Sequence, residues 1–508
     1  MRTSFSSRVR RRGSIMILFT LMLPTLIVPL VGLAIDGSML YTVQAKLQSA
    51  VDGAALGAGR LLGTNANTTE IANEFLSANF PSGYWGSYNL TPSISAVTNF
   101  SAHTITVGAT VNVPLLFMRI FGYNNTLVAA SAVATRRDTR VELVLDRSYS
   151  MNGNLGSMKT SAATFTNKFT NGADELGLIV FGGSAFVAYP NTVTPSTTGP
   201  NVHFGDANAS GFTNMATMIN NMAVGSDTGT AEGLWTAYQE LKTANTLNPD
   251  PTRLNAIVLF TDGLPNGISA FLNDPSGSNN ALSSGSGCKY NPASSSDPTQ
   301  DLIGWIASSG SGTNINFFKP SSSKTTGTYN ILPINSSGHT ASYWDSTVGG
   351  SGYVDDMVQV SGKPYTSCSN LSGTTMTGLA KIPPQDRYGN STSGVADPQS
   401  LLYTTFKTHY DATKPTNGYQ MGLASWNATD HAGQRILADT TLNITIYVIG
   451  YTGNGGVDQV LLKRLANTQD STSYNAAYQT GMYVSAGNAA ELQSAFDAVA
   501  SALLRLAR

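Results

Sequence analysis

The sequence predicts an α/β protein: a doubly wound domain with a large insert, preceded by a transmembrane helix, a helical stalk and a small β-rich module. Three observations support this prediction. An uncharged apolar segment follows an arginine-rich N-terminus, strand-like and helix-like runs alternate over the C-terminal part, and two of those strand-like runs end in aspartate. The predicted boundaries are residues 1–13, 14–35, 36–65, 66–137 and 138–508, with the insert at about 264–415.

The N-terminal segment has the charge pattern of a membrane anchor. Residues 1–13 contain five arginines and no acidic residue, and residues 14–35 carry no charge. At a rise of about 1.5 Å per residue, such a run crosses the ~30 Å hydrocarbon core as a helix. The arginines favour a cytoplasmic N-terminus, which places the rest of the chain outside the cytoplasm. Because the run is long for a signal peptide and lacks a clear cleavage site, we interpret it as an uncleaved anchor, with a cleaved signal as the alternative.

Residues 36–65 continue the helical spacing and are rich in Ala and Leu. Their small-residue face suits packing against identical or related helices, so self-association through this stalk is one expectation. Residues 66–137 predict a short helix at 70–78 and strands at 94–97, 104–114 and 127–134. No titratable cluster in this module suggests chemistry, so we expect it to space the terminal domain or to contact other proteins.

The C-terminal region alternates between strands and helices, as a doubly wound domain requires. Central strands are predicted at 141–145, 175–181, 255–261 and 443–450, with a short edge strand at 185–189 and a final one at 482–485. Helices are predicted at 155–169, 230–241, 419–437 and 489–506, the last with Asn488 as its N-cap. The β-branched run at 443–450 is typical of a strand covered on both faces.

Oxygen-bearing side chains follow two of the predicted strands. Asp146, Ser148 and Ser150 come at alternate positions after the first strand, and alternate positions of an extended segment share a face. Asp262 follows the strand at 255–261, and Thr228 lies in the loop that opens the intervening helix. In open parallel sheets, ligands bind outside the carboxyl ends of the strands. The donor types predict a hard cation there, Mg²⁺ first, with Mn²⁺ or Ca²⁺ as alternatives.

This set resembles the metal-ion-dependent adhesion site of von Willebrand factor type A domains. That family combines Asp-x-Ser-x-Ser, a Thr in a Gly-rich loop before a helix, and an Asp after a later strand. All five positions match: Asp146, Ser148, Ser150, Thr228 and Asp262. The resemblance implies that the three hydroxyls contact the metal and that both aspartates act mostly through water. Such a shell leaves the cation able to accept an acidic side chain from a partner protein.

The N-terminal stretch carries a second resemblance. Arg-Arg-Gly at 11–13, an apolar segment containing proline, and the runs DGSMLY at 36–41 and LQSAVDGAAL at 47–56 are similar to the N-termini of TadG-like proteins. Those proteins belong to the tight-adherence (Tad/Flp) pilus machinery of bacteria, and many carry a C-terminal von Willebrand A domain. Pilin-like members of that system are cut after a Gly that has Glu five positions on. After Gly13 that position is Leu18, so this cleavage is not supported here.

Together the resemblances imply a component of Tad/Flp pilus assembly in the bacterial inner membrane. It would bind other pilus-assembly or envelope proteins through the metal site; a surface adhesin for host or matrix ligands is the alternative. We expect no enzyme, because none of the five matched positions supplies a His or Glu general base. Glu232, the nearest candidate, is expected on the exposed start of its helix. The net charge of −1 gives no basic excess that would indicate nucleic-acid binding.

The insert is rich in Ser, Gly, Thr and Asn but also contains aromatic residues. It leaves the domain directly after Asp262. It could therefore cap the site, gate it or form a separate recognition surface. The alternative is a variable surface segment with no direct role. The two cysteines of the chain, Cys288 and Cys368, lie in the insert and predict one disulfide, with two unpaired thiols as the alternative. Zinc is not favoured, because two thiols without nearby histidines leave a tetrahedral shell unfilled.

Overall fold

The chain folds as two compact units, Met1–Arg137 and Asp138–Ala507, in a computed structural model of the full sequence. The structure describes residues 16, 20–64, 66–183, 185–190, 199–206, 214–220, 222–225, 227–273, 302–309, 312–317, 371–372, 375–376, 381–394, 399–402, 409–415, 417–453 and 456–506.

The N-terminal unit combines a long helix with a small antiparallel sheet. A π-helical turn, Leu23–Ile27, leads into α1 (Val28–Gly59), and α2 (Thr68–Asn79) follows. Three strands, β1 (Tyr88–Asn99), β2 (Ala102–Pro114) and β3 (Asn125–Arg137), pair in the order β1-β2-β3. The helical stretch Thr20–Gly59 is long and apolar enough to cross a membrane.

The small-residue face of α1 packs on the chain's own sheet. Buried positions recur along the helix every three or four residues, among them Ala50, Ala54 and Ala58, which have no exposed surface. They share one core with inward-facing β2 residues such as Ile105 and Val107. The stalk and the β-rich module, expected to be separate segments, therefore form one folded unit, and the face expected to pack against other helices is covered within the chain.

The C-terminal unit spans Asp138–Ala507. Its helices are α3 (Leu155–Thr166), α4 (Met215–Asn220), α5 (Thr230–Leu247), α6 (Gly418–Leu437), α7 (Gln459–Leu465) and α8 (Ala489–Leu506). Its strands are β4 (Thr139–Asp146), β5 (Glu175–Phe181), β6 (Ala185–Tyr189), β7 (Leu254–Thr261), β8 (Gly267–Asn273), β9 (Leu302–Ser309), β10 (Gly312–Phe317), β11 (Leu371–Ser372), β12 (Thr375–Met376), β13 (Thr445–Tyr451) and β14 (Met482–Ala486).

A six-stranded sheet in the order β14-β13-β7-β4-β5-β6 forms the centre of this unit. Five strands are parallel, and the edge strand β6 runs antiparallel to β5. One core packs α3, α4 and α8 against one face, and a second core packs α5, α6 and α7 against the other. All residues of β4, β5 and β13 are buried, as expected for strands covered on both sides. The doubly wound α/β fold class is confirmed.

Most predicted elements of this unit are present with shifted ends. The N-cap of α8 is Asn488, whose side-chain oxygen accepts the N–H groups of Ala490 at 3.0 Å and Glu491 at 3.1 Å. The sequence analysis missed α4 and α7. Both are short, and a helix of one or two turns offers too few residues to show a 3.6-residue period.

The insert begins with structure that its composition did not predict. The strands β8, β9 and β10 form an antiparallel sheet in the order β10-β9-β8, in which Trp305 of β9 is fully buried. A side-chain contact joins this sheet to α6, where the Ser425 hydroxyl donates to the Gly267 carbonyl at 2.8 Å. Cys288 and Cys368 lie outside the described residues, so their disulfide stays a prediction.

Candidate metal centre

The strands β4 and β7 bring the two predicted aspartates to the same end of the sheet. They are parallel neighbours in which Leu145 pairs with Phe260. Asp146 ends β4, and Asp262 follows Thr261 at the end of β7. Because neighbouring parallel strands end together, two carboxylates that are distant in sequence meet at the carboxyl ends of the central strands.

Two hydrogen bonds orient the Asp146 carboxylate. Its Oδ1 accepts the Ser148 N–H at 2.8 Å, and its Oδ2 accepts the Thr261 hydroxyl at 2.6 Å. The side chain has no exposed surface. Both oxygens are therefore already held by the protein, an arrangement that suits contact with a cation through water more than direct ligation.

A chain of hydroxyls connects β4 with Asp262. The Ser148 and Ser150 oxygens lie 2.9 Å apart, and the Ser150 hydroxyl donates to Asp262 Oδ1 at 2.7 Å. The backbone conformation that brings Ser148 and Ser150 together differs from the predicted extended one. A 3₁₀ turn, Tyr149–Met151, follows Ser148, so the extended alternation stops there and the turn brings Ser150 back beside Ser148. Tyr149 between them points outward and is 69% exposed.

Thr228 is held against the segment that follows β7. Its N–H donates to Asn266 Oδ1 at 2.8 Å, and the Asn266 N–H donates to the Thr228 carbonyl at 3.1 Å. A β-carbon placed on Gly263 would lie 3.5 Å from Ser150 Oγ and 3.7 Å from Thr228 Oγ1. Both hydroxyls therefore border the same small space beside Asp262. The structure brings all five predicted residues together.

The electrostatics of this cluster fit a cation. Burial and, second, the nearby Asp262 charge together raise the pKa of Asp146 to about 7, against the opposing hydrogen bonds from Ser148 and Thr261. A divalent cation beside two crowded carboxylates would relieve their repulsion. Over the part of the chain that the structure describes, no group of three or more His, Cys, Asp or Glu residues is arranged to hold a metal. Two carboxylates with three hydroxyls form a weakly charged oxygen set, which suits a cation that keeps several waters.

Glu232 does not occupy the exposed position expected for it. It is 2% exposed and forms an ion pair with Arg387, whose guanidinium also lies 4.6 Å from the centre of the Tyr388 ring. The prediction is wrong because the C-terminal end of the insert folds back over the start of α5, a long-range contact that no local pattern reports. The carboxylate is engaged in this ion pair instead of facing solvent.

The inserted sheet contacts the loop that carries Thr228. The Trp305 indole N–H donates to Asp227 Oδ2 at 2.9 Å. A β-carbon on Gly229 would lie 2.7 Å from the Trp305 ring and 2.6 Å from the Gly183 carbonyl, so only glycine fits between them. The insert therefore packs against the loop that carries Thr228 and supports it.

Three residues with structural roles at the site were missed by the sequence analysis. Thr261 and Asn266 lie close to Asp262 in the sequence. Their side chains can form hydrogen bonds, and this feature could have identified them. Trp305 had no such signal, because it lies in a Ser- and Gly-rich stretch far from the matched motif.

Two family models match the chain. Residues 13–61 match the TadE/G-like Flp pilus-assembly family, and residues 141–264 match the von Willebrand factor type A domain. The chain thus has the two parts of a TadG-like protein with a von Willebrand A domain, which confirms both resemblances. With the apolar helix, the TadE/G-like match supports a membrane-anchored protein. No curated protein sequence matches the chain.

Solved structures from pili are among those similar to this chain. The PilB minor pilin from Streptococcus sanguinis is 15% identical, over 83% of this chain and 79% of that one, with a TM-score of 0.35. The von Willebrand domain of the type V pili tip protein Mfa5 from Porphyromonas gingivalis is 15% identical, over 74% of this chain and 98% of that one, with a TM-score of 0.34. At such scores these likenesses carry no argument about function.

Proposed function

We propose that this TadG-like protein is a membrane-anchored, extracytoplasmic component of Tad/Flp pilus assembly that binds protein partners through a divalent cation. One observation carries the proposal: Asp146, Ser148, Ser150, Thr228 and Asp262 meet at the carboxyl ends of adjacent parallel strands. A carboxylate and hydroxyl cluster at this position of a von Willebrand A domain is suited to an adhesion site.

The proposed cation is Mg²⁺, with Mn²⁺ or Ca²⁺ as alternatives. The hydroxyls of Ser148, Ser150 and Thr228 would contact it directly, and the two aspartates would act through water. When bound, the cation supplies a Lewis-acid position that an acidic side chain of the partner fills. Few anionic ligands come from the protein itself, so the cation keeps a strong attraction for that carboxylate.

The topology follows from the charge pattern of the N-terminus. The arginines of residues 1–13 would stay in the cytoplasm, and the chain after the apolar helix would lie in the periplasm or at the cell surface. Such an orientation presents the metal centre to envelope or pilus-assembly proteins on the outer side of the inner membrane.

Calorimetric titration of Mg²⁺ and Mn²⁺ into the detergent-solubilised full chain tests the metal site. We expect saturable binding that the double substitution D146A/S148A abolishes. The matched control is D470A/T472A, which removes an exposed aspartate and the hydroxyl two positions on, far from the motif in sequence. Binding that persists in D146A/S148A, or that is absent from the unmodified protein, would contradict the proposed site.

A bacterial strain producing D146A/S148A separates pilus assembly from the adhesin alternative. If the metal centre recruits assembly partners, surface pili should be lost and capture of envelope proteins by the purified chain should be sensitive to chelation. Normal pili together with lost attachment to host or matrix surfaces would overturn the assembly role in favour of the adhesin.

A further inference from the structure

The loop between β2 and β3 lies against the apolar N-terminal helix. We call residues 115–124 the anchor loop. One cavity is bordered by both segments; its helix side is Pro24, Thr25, Val28 and Pro29, and its loop side is Phe117, Met118, Ile120 and Phe121. A β-carbon on Gly32 would lie 2.5 Å from Phe117 Cβ, so glycine is what lets the loop approach the helix this closely.

The anchor loop turns large apolar side chains outward. The exposed fractions of these residues are 56% for Leu116, 74% for Ile120, 56% for Phe121 and 62% for Tyr123. Loops in water usually expose polar side chains, because burying an apolar side chain away from water is favourable. Four such side chains together on one loop indicate an apolar environment, and the adjoining helix is one that is suited to a membrane.

The backbone of the anchor loop shows the opposite pattern, because its N–H groups are directed inward. The Asp36 carboxylate accepts the N–H groups of Leu116 at 3.0 Å, Phe117 at 3.0 Å and Met118 at 2.9 Å. Further N–H groups bond to carbonyls inside the loop, including that of Tyr123 to Met118 at 3.2 Å. Residues Met118–Phe121 of the loop form a 3₁₀ turn. Backbone outside a continuous α-helix needs such internal hydrogen bonds at membrane depth, because lipid offers no hydrogen-bond partner.

The position of the contact along the helix agrees with membrane depth. The cavity-lining helix residues precede Asp36 by two to three turns, which is roughly 10–18 Å at 1.5 Å per residue. That distance is comparable with half of the ~30 Å hydrocarbon core.

We propose that the anchor loop inserts into the outer leaflet of the bilayer beside the helix, with lipid acyl chains as its occupant. The N-terminal unit would then contact the membrane at two places, which restrains its tilt relative to the bilayer. This inference depends on the membrane helix and is independent of the metal centre, so either proposal can fail without the other.

Site-specific photo-crosslinking of the full chain in phosphatidylcholine vesicles tests the insertion. A benzophenone amino acid replaces Phe121, and lipids with alkyne-tagged acyl chains report the adduct. The matched control replaces Phe100, which is 63% exposed in the turn at the other end of β2. At about 3.4 Å per strand residue, that turn is roughly 40 Å from the anchor loop. We expect at least tenfold more lipid adduct at position 121 than at position 100.

Equal lipid adducts at the two positions, or adducts at position 121 mainly to a second copy of the chain, would overturn the proposal. Fluorescence gives a second readout: I120W should be quenched by brominated acyl chains well beyond the unmodified protein. V97W, at a position that is 63% exposed near the opposite turn, should not be. Vesicle flotation measures anchoring by the helix separately. Protein that floats with vesicles but shows no quenching of I120W would refute loop insertion alone.

Discussion

Replacing Asp36 with asparagine tests how one carboxylate holds the anchor loop. Asp36 is 1% exposed, and its two oxygens accept three consecutive backbone N–H groups of residues 116–118. Asparagine keeps the shape of the side chain but has only one acceptor oxygen. If that oxygen takes the place of Oδ1, the amide NH₂ faces the N–H groups of Phe117 and Met118, and at least one of these donors loses its acceptor.

The expected cost follows from the bonds lost. A hydrogen bond to a charged group contributes about 1.5–3 kcal/mol, and a buried donor left without an acceptor costs about 1–3 kcal/mol. These contributions overlap, so we expect the free energy of local opening at residues 116–118 to fall by about 2–3 kcal/mol. Since about 1.4 kcal/mol corresponds to a factor of ten, these amides should exchange roughly 30 to 140 times faster.

Hydrogen–deuterium exchange of the detergent-solubilised chain, read by mass spectrometry on peptides covering residues 115–124, measures this effect. D52N is the matched control, because Asp52 lies on the same helix, is exposed, and accepts the Gln48 side-chain amide at 2.8 Å. Exchange at residues 116–118 that is unchanged in D36N, or raised equally in D52N, would refute the role assigned to Asp36.

Three further predictions concern the C-terminal unit, each measured on the solubilised chain. R387M should lower the free energy of unfolding of this unit by about 3–5 kcal/mol in chemical denaturation, because it removes the guanidinium beside buried Glu232. E232Q/R387M should recover most of that loss, and an equal loss in the double variant would contradict this. W305F removes the indole donor to Asp227 and should weaken Mg²⁺ binding several-fold in calorimetry; unchanged affinity would show that the insert does not support the site. Burial raises the pKa of Asp386 to about 6, so the folded state holds its proton more tightly and stability falls by up to about 3 kcal/mol as pH rises from 4 to 6; D386N should flatten this fall, and an equal fall in the variant would argue against it.

The sequence by itself determined the doubly wound fold and which side chains form the proposed metal centre. Strands such as β4 and β7 are largely apolar because they are covered on both faces, so their burial can be predicted from their own residues. Asp146 and Asp262 mark the strand ends, and parallel pairing then requires them to meet. Both inferences use patterns contained within a few residues, which is why they needed no tertiary information.

Only the tertiary structure decided which contacts hold these parts together. The ion pair between Glu232 and Arg387 and the hydrogen bond from Trp305 to Asp227 join segments far apart in sequence. The same is true of Asp36, whose carboxylate holds a loop eighty residues away. Such contacts depend on how distant segments pack. A single polar or aromatic side chain forms no periodic pattern in the sequence, so its partner cannot be predicted locally. Helical spacing showed that α1 has a buried face, but whether its own sheet or another helix covers that face was settled by packing alone.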